Sequence, residues 1–507
     1  MQKGETSMTK YTLKDYLDLM NNYNLVVDFD LKDKENLIID YLTYNSKKVT
    51  DNTFFICKGA AFKAKYLTEA IEQGACCYIS QEKYPVDEKI PYIIVNDIRK
   101  AMPPLADKFN NSPWKKLKLT GFGGTKGKST SAYYMKSVVD EYMAKTGGKE
   151  SGIISSINTY DGVINIESHI TTPEAVELQE HFQNAITSDI TFLEMEVSSQ
   201  ALKYNRIDNI TLDVGVFLNI SEDHISPIEH PDFDDYFNAK LKIFDNSKYA
   251  VVNLDADFSD KILQASKVCE KTYTISTKDP SADIYGYDIH KEGHETIFTV
   301  CGPGFTERFA LTMPGLFNVE NALAVIAASL LLEIPLEFIK SGLYKARTSG
   351  RMELYTSQDK EKIAVVDYAH NKLSFEKLFE SVSKEYPDYN VVAIFGCPGG
   401  KAINRREDLG TIAGKCASMV YITAEDPASE SFMDISNEIA KFVEDQNCPY
   451  KIIEDRGEAI KYALDHSEGK TIFLITGKGN ETRQKYGTKY IDCKSDVEYV
   501  KEFFDIK

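Results

Sequence analysis

Leu117-Lys118-Leu119-Thr120-Gly121-Phe122-Gly123-Gly124-Thr125-Lys126-Gly127-Lys128-Ser129-Thr130 passes from an apolar, β-prone segment through a glycine-rich turn. It continues into Ala132-Tyr133-Tyr134-Met135-Lys136-Ser137-Val138-Val139, whose spacing predicts an amphipathic helix. A strand, such a turn, and Gly-Lys-Ser-Thr opening a helix is the layout of a phosphate-binding loop. Gly124, Thr125 and Gly127 let backbone N–H groups close around phosphate oxygens, and the helix start at Ser129 and Thr130 adds a favourable dipole. Lys128 is expected to reach the β- and γ-phosphates, and the Ser129 hydroxyl to ligate Mg²⁺. The usual expression G-x-x-x-x-G-K-[ST] is missed by one residue, because Phe122 stands five before Gly127. The strand and helix on either side outweigh that departure.

The rest of the composition narrows the class. A chain of 507 residues has room for about two to four domains with well-buried cores. With 43% hydrophobic and 27% charged residues, it reads as soluble and globular. It holds no apolar run of about 18 residues, so no membrane insertion is expected. The start, Met1-Gln2-Lys3-Gly4-Glu5-Thr6-Ser7-Met8, has no apolar signal-peptide core. Nine cysteines, including the adjacent Cys76-Cys77, form no Cys-x-x-Cys pair, and a reducing cytoplasm is expected. A net charge of −18 argues against nucleic acid as a partner.

Taken in order, the chain predicts an α/β protein of three domains, with boundaries at 1–112, 113–347 and 348–507. The first is a small α/β unit whose strands include Phe54-Phe55-Ile56-Cys57 and Tyr92-Ile93-Ile94-Val95, ending at a linker, Asn111-Ser112-Pro113. The second alternates strands and helices, the pattern of a mostly parallel sheet. Thr191 to Val197 reads as a buried strand running into Glu196-Val197-Ser198-Ser199. Leu212 to Asn219 reads as another, running into Ser221-Glu222-Asp223-His224. Ligands of open α/β sheets sit beyond the carboxyl ends of the strands, so Glu196 and His224 are candidate metal ligands. A lone glutamate at a strand end is more often merely solvated; two candidates beside a phosphate loop reverse that preference. The third domain repeats the alternation with strands near 363–367, 391–396, 419–423, 450–453 and 471–476, a Rossmann-like order without a dinucleotide fingerprint.

Seven motifs in this order resemble the Mur ligases, the ATP-dependent enzymes that build the peptidoglycan stem peptide, and within them the MurE type. They are Gly121 to Thr130, Thr171-Thr172-Pro173-Glu174, Met195 to Leu202, Asn219 to His224, Gly350-Arg351-Met352-Glu353, Asp367-Tyr368-Ala369-His370 and Gly477-Lys478-Gly479-Asn480-Glu481. The resemblance implies a uridine-binding first domain, an ATP-binding second and an acceptor-binding third. It implies a ligase of cell-wall biogenesis, and so of cell shape and division. Its partners would be a UDP-N-acetylmuramoyl-dipeptide and a free amino acid, and it would work as a cytoplasmic monomer with ATP and Mg²⁺ as cofactors.

Roles follow from the resemblance position by position. Lys128 and Ser129 would hold the phosphates and Mg²⁺, with Glu196 and His224 as further ligands. Asn318 and Asn321 match residues near the adenosine; Arg351 and Asp367 would reach the nucleotide from the third domain. Thr171, Thr172 and Ser198 match positions facing the muramoyl peptide, and Ser46 lies in a counterpart of the uridine motif. Lys240, in Asn238-Ala239-Lys240-Leu241, matches a lysine that this family carbamylates, with Lys242 as the competing register. A carbamate gives a lysine the oxygen that a second Mg²⁺ needs. Lys401, Glu425, Asp426, Gly477 and Glu481 fall in the acceptor region.

Several positions depart from the family's pattern. Gln200 stands where histidine is common, Asn371-Lys372 replaces Thr-Pro, and Asn45-Ser46-Lys47 replaces Asp-Ser-Arg. Glu425-Asp426-Pro427-Ala428 replaces the Asp-Asn-Pro-Arg of enzymes that add meso-diaminopimelate, losing the arginine that grips the acceptor's second carboxylate. Glu425, Asp426 and Glu430 together read as an acidic cluster suited to a side-chain ammonium, or as exposed loop acids. L-Lysine is therefore the favoured acceptor over meso-diaminopimelate, with a small neutral or other diamino acid as the fallback. Competing readings are a divergent paralogue, a folylpolyglutamate-synthetase-like ligase, a P-loop NTPase that hydrolyses without ligating, and a catalytically silent binding protein. The intact Lys128, Ser129, Glu196 and His224 speak against the last.

Overall fold

The computed structural model describes residues 9–506 except 60, 61, 169, 224, 226–228, 294, 314, 316, 317 and 349–351. Three large sheets follow one another along the chain, each with helices against it. The first has five strands in the order Val26–Asp30, Tyr92–Val95, Ala75–Ser80, Thr53–Ile56, Tyr41–Thr43. Only Val26–Asp30 is antiparallel to its neighbour. At Asn111 and Ser112 the chain takes two consecutive positive φ angles, 58° and 51°, before a short 3-10 turn from Pro113 leads into the second sheet.

The second sheet has eleven strands. Its parallel centre runs Lys271–Ser276, Ser247–Asn253, Leu212–Phe217, Lys118–Gly123, Phe192–Glu196, Gly152–Ile154. This order sets Lys118–Gly123 between Leu212–Phe217 and Phe192–Glu196, so the phosphate loop, Glu196 and the segment from Leu218 leave neighbouring strand ends. The helix after the loop, Lys128–Thr146, is longer than the sequence pattern marks, and buries Ala132, Tyr134, Met135, Val138, Val139 and Met143. It is not amphipathic in the expected way, because it is covered from two sides. The apolar helix Asn318–Leu331 lies along it, and Leu336–Lys345 crosses it at Gly342. A Cβ at Gly342 would stand 2.4 Å from the Val138 Cα, so only glycine permits that approach.

The third sheet runs Glu353–Thr356, Lys362–Asp367, Thr471–Thr476, Asn390–Phe395, Met419–Ile422, Tyr450–Ile452. The five expected strands are all parallel, and the antiparallel edge strand Glu353–Thr356 is added to them. A hairpin, Arg483–Tyr486 with Lys489–Asp492, closes over this sheet's carboxyl end, where Ala428 N donates to Lys485 O at 3.0 Å. Among the described residues, no helix is long and apolar enough to cross a membrane.

Candidate functional site

The phosphate loop is held by the segment that follows Leu212–Phe217. Asn219 grips Lys126 on both sides, with Oδ1 accepting from Lys126 N at 2.8 Å and Nδ2 donating to Lys126 O at 3.1 Å. Thr125 N donates to Asn219 O, and Thr125 Oγ1 accepts from Ser221 N at 3.1 Å and pairs with Tyr236 OH at 3.1 Å. Gly124 and Gly127 take φ of 133° and 85°, the region that favours glycine. A Cβ at Gly127 would fall 2.3 Å from Asn321 Oδ1. Gly127→Ala is therefore expected to cost at least ~1 kcal/mol of stability and to remove nucleotide binding, checked by thermal unfolding with and without ATP. Asn321 in turn donates to Asn318 Oδ1 at 3.0 Å, so both asparagines are buried against the loop. Thr130 is buried in the first turn of the helix.

Two lysines converge on one carbonyl. Lys128 Nζ donates to Gly124 O and Thr125 O, both at 3.0 Å, and Lys240 Nζ donates to the same Gly124 O at 2.7 Å. Lys240 is 3% exposed and lies on the helix Phe233–Leu241, whereas Lys242 is exposed. Burial, and then the neighbouring Lys128 charge, push the Lys240 amine well below its ordinary pKa. This favours the neutral amine.

Beside them Glu196 is 1% exposed at its strand end. Its Oε1 accepts from Ser156 N at 2.8 Å and Ser156 Oγ at 3.1 Å; Ser156 Oγ lies 3.2 Å from Ser129 Oγ. Ser156 thus joins Ser129 and Glu196, two of the residues singled out for metal binding, and the sequence reading missed it. Its only signal is its place just after the short strand Gly152–Ile154, two strands from the loop. Among the described residues, no three His, Cys, Asp or Glu side chains come together as a metal cage. A hydroxyl and a carboxylate beside a phosphate loop suit Mg²⁺, which binds through one or two protein oxygens plus substrate phosphates. His224 and Arg351 lie outside the described residues.

A cleft of about 650 Å³ opens between the second and third sheets. Ser156, Ile166 and Thr171 line one side; Lys401, Asp426 and Glu481 line the other. Thr172 is fully buried, its hydroxyl donating to Glu196 O at 2.9 Å and accepting from Ser198 N at 3.0 Å, so it braces the Glu196 strand end. Ser198 caps the next short helix. Asp367 closes its own strand end, accepting from Ala369 N at 2.7 Å and Met352 N at 2.8 Å. Ser46 lies apart, on the first domain, 3.5 Å from Glu69.

The three acids expected as a cluster separate in the structure. Glu430 is engaged by Arg406 at 2.7 Å and by Gly400 N. Glu425 is buried, its carboxyl pushed up to about 7 by desolvation against the opposing charge of Arg456, and Gly477 packs so closely on it that a Cβ would be 2.1 Å from Oε2. Asp426 alone of the three lines the cleft. It shares Lys478 with Glu481, at 3.0 and 2.5 Å, and Tyr368 OH donates to Glu481 at 2.8 Å. Spacing along a loop cannot show which carboxylates turn inward; packing against Arg406 and Gly477 does.

A family model described as the Mur ligase middle domain matches residues 123–329, and one described as the Mur ligase, glutamate ligase domain matches residues 350–479. The chain is 38% identical to UDP-N-acetylmuramoyl-L-alanyl-D-glutamate--L-lysine ligase of Streptococcus pneumoniae serotype 2, over 87% of this chain and 88% of that one. It is 37% identical to the protein of the same name from Enterococcus faecalis, over 88% and 87% of the two chains. In fold it is similar to a solved UDP-N-acetylmuramoyl-L-alanyl-D-glutamate--2,6-diaminopimelate ligase, with a TM-score of 0.66 at 21% identity over 98% and 99% of the two chains. With identity of this level over most of its length, the chain belongs to the Mur ligase family.

Proposed function

We propose that the protein is an ATP-dependent ligase that joins L-lysine to the γ-carboxylate of D-glutamate in UDP-N-acetylmuramoyl-L-alanyl-D-glutamate. The observation that carries the reading is the continuity of one cleft. Ser156 touches Ser129 and Glu196 and also lines the 650 Å³ space whose far wall holds Asp426, Lys478 and Glu481. The names of the S. pneumoniae and E. faecalis relatives supply the acceptor. ATP use is supported by a MurF neighbour of similar fold solved with ADP.

In this reading the γ-phosphoryl group of ATP passes to the substrate carboxylate, giving an acyl phosphate and ADP. The α-amine of L-lysine then attacks the acyl carbon, the C–N bond forms with loss of a proton, and inorganic phosphate leaves. Lys128 swings from the Gly124 and Thr125 carbonyls onto the transferring phosphoryl group, whose charge is spread over its oxygens. Ser129 and Glu196, with His224 and a carbamylated Lys240, would hold Mg²⁺, which when bound neutralises charge between the phosphates. Ser156 keeps the Glu196 carboxylate aimed, and Thr172 braces its strand end. The uridine end of the substrate reaches the first domain near Ser46. The reading includes a monomer acting where ATP and nucleotide sugars are made, in the cytoplasm.

The acceptor decides between close alternatives. Ala428 has no side chain to hold a second carboxylate, and its backbone is tied to Lys485 and Gly487 of the closing hairpin. Asp426 and Glu481 flank the single Lys478, leaving that trio one negative charge for an ammonium. With L-lysine and meso-diaminopimelate offered together, L-lysine is expected to be incorporated by at least ~100-fold in preference, the order of discrimination a missing polar partner gives. Product mass spectra read the ratio; preferential meso-diaminopimelate would refute the assignment. Phosphate release needing neither the sugar nucleotide nor an amino acid would favour a simple NTPase.

A further inference from the structure

Asp223, 8% exposed in its side chain, follows the strand Leu212–Phe217 and is met from two directions. From its own domain, Lys126 Nζ of the phosphate loop lies 3.4 Å from Oδ2. From the third domain, Asn371 Nδ2 donates to Oδ2 at 2.8 Å, and Arg405 Nη2 lies 3.5 Å from Oδ1. One shielded carboxylate therefore ties the phosphate loop to two elements of the third domain, the starts of helices Lys372–Glu385 and Asn404–Cys416.

Asn371 suits this place because an amide has separate donor and acceptor ends. Its Oδ1 accepts from Ser374 N at 3.2 Å and caps the helix Lys372–Glu385, while its Nδ2 is left to reach Asp223. It is 8% exposed, so the contact is shielded from water. A hydrogen bond to a carboxylate in such a setting is stronger than a surface ion pair.

We propose that Asn371 and Arg405 are positioning residues which, through Asp223, hold the third domain closed against the phosphate loop. The purpose of closure rests on the ligase reading above; the latch itself does not. A cleft walled by two domains binds its substrates only while the walls are together, so losing the latch lowers apparent affinity by the fraction of molecules left closed. The chemical step, once both substrates are bound, changes little.

Asn371→Asp separates the latch from the cap. Aspartate caps a helix as well as asparagine does, but it turns a carboxylate toward Asp223. Small-angle scattering at one fixed concentration of a non-hydrolysable ATP analogue is expected to show a larger radius of gyration for Asn371→Asp and Arg405→Gln than for the parent, with unchanged unfolding midpoints. Steady-state assays should show KM for ATP and L-lysine raised ~10-fold with kcat within ~3-fold, the signature of a shifted closing equilibrium. Asp223→Asn combined with Asn371→Asp swaps donor and acceptor and should recover part of the compact scattering. Scattering identical to the parent in Asn371→Asp, or no recovery in the double variant, would overturn the latch. A parent that fails to turn over its substrates would remove the ligase reading and leave scattering to decide the latch alone.

Discussion

Alanine in place of Lys128 should lower ligation by ~10³-fold or more, the scale of losing a charged donor at a phosphoryl-transfer site, while the unfolding midpoint stays near that of the parent. Lys128 Nζ is held by two loop carbonyls, Gly124 O and Thr125 O. Gly124 O keeps Lys240 Nζ as a donor when the Lys128 amine is gone. Glu196 needs a more careful substitution. Its Oε1 takes both donors of Ser156, and truncation to alanine would take the acceptor from Ser156 N at ~1–3 kcal/mol, while Ser156 Oγ keeps Ser129 Oγ. Glu196→Gln keeps an acceptor in place and removes only the charge, so a loss of similar size in that variant reports on chemistry and not on folding. Phosphate release and product formation are both to be followed. Ligation within ~10-fold of the parent in either variant would end the assignment of these residues.

The strand, glycine-rich turn and helix from Lys118 to Thr146 were legible because the glycines, lysine and hydroxyl fall at fixed spacing and the flanking elements are local. The five parallel strands of the third sheet were legible for a related reason: each is a short apolar run bounded by turn residues. What crosses between elements was not. Ser156 lies 40 positions before Glu196 and meets it only because Gly152–Ile154 pairs with Phe192–Glu196 in the sheet. The strand Phe192–Glu196 carries two glutamates, and only packing separates them. Both are buried, but Glu194's carboxyl is pushed well up by desolvation, while Glu196 Oε1 meets the two donors of Ser156 at the strand end. Asn371 read as a departure from a family motif; its contact with Asp223 spans 148 residues. The helix Lys128–Thr146 was underestimated because burial on two sides erases the amphipathic period that marks a surface helix.

Lys240→Ala is expected to reduce kcat by ~10²–10³-fold, as for loss of a charged group at the reacting centre, with a short carboxylate such as acetate restoring a measurable part. Lys240 sits where a cation is poorly placed: buried, on the Gly124 carbonyl that Lys128 also uses. Burial and the Lys128 charge both push its pKa down, and the neutral amine is the form that adds to carbon dioxide. The nitrogen lone pair forms the new N–C bond, a proton leaves, and the product is a carbamate anion. That step would put an oxygen anion, which attracts Lys128, where an ammonium would be repelled, and this is the drive expected for the modification. Lys242, exposed and facing water, has no such drive and serves as the control. Activity should fall when dissolved carbon dioxide is stripped and recover when bicarbonate returns. ¹³C-labelled bicarbonate should give a carbamate resonance in the parent and in Lys242→Ala, and none in Lys240→Ala. Mass spectra in acid are unsuitable, because carbamates decompose there. A parent that shows neither the resonance nor any response to bicarbonate would mean that Lys240 acts as a bare amine, bracing the phosphate loop through Gly124 and nothing more.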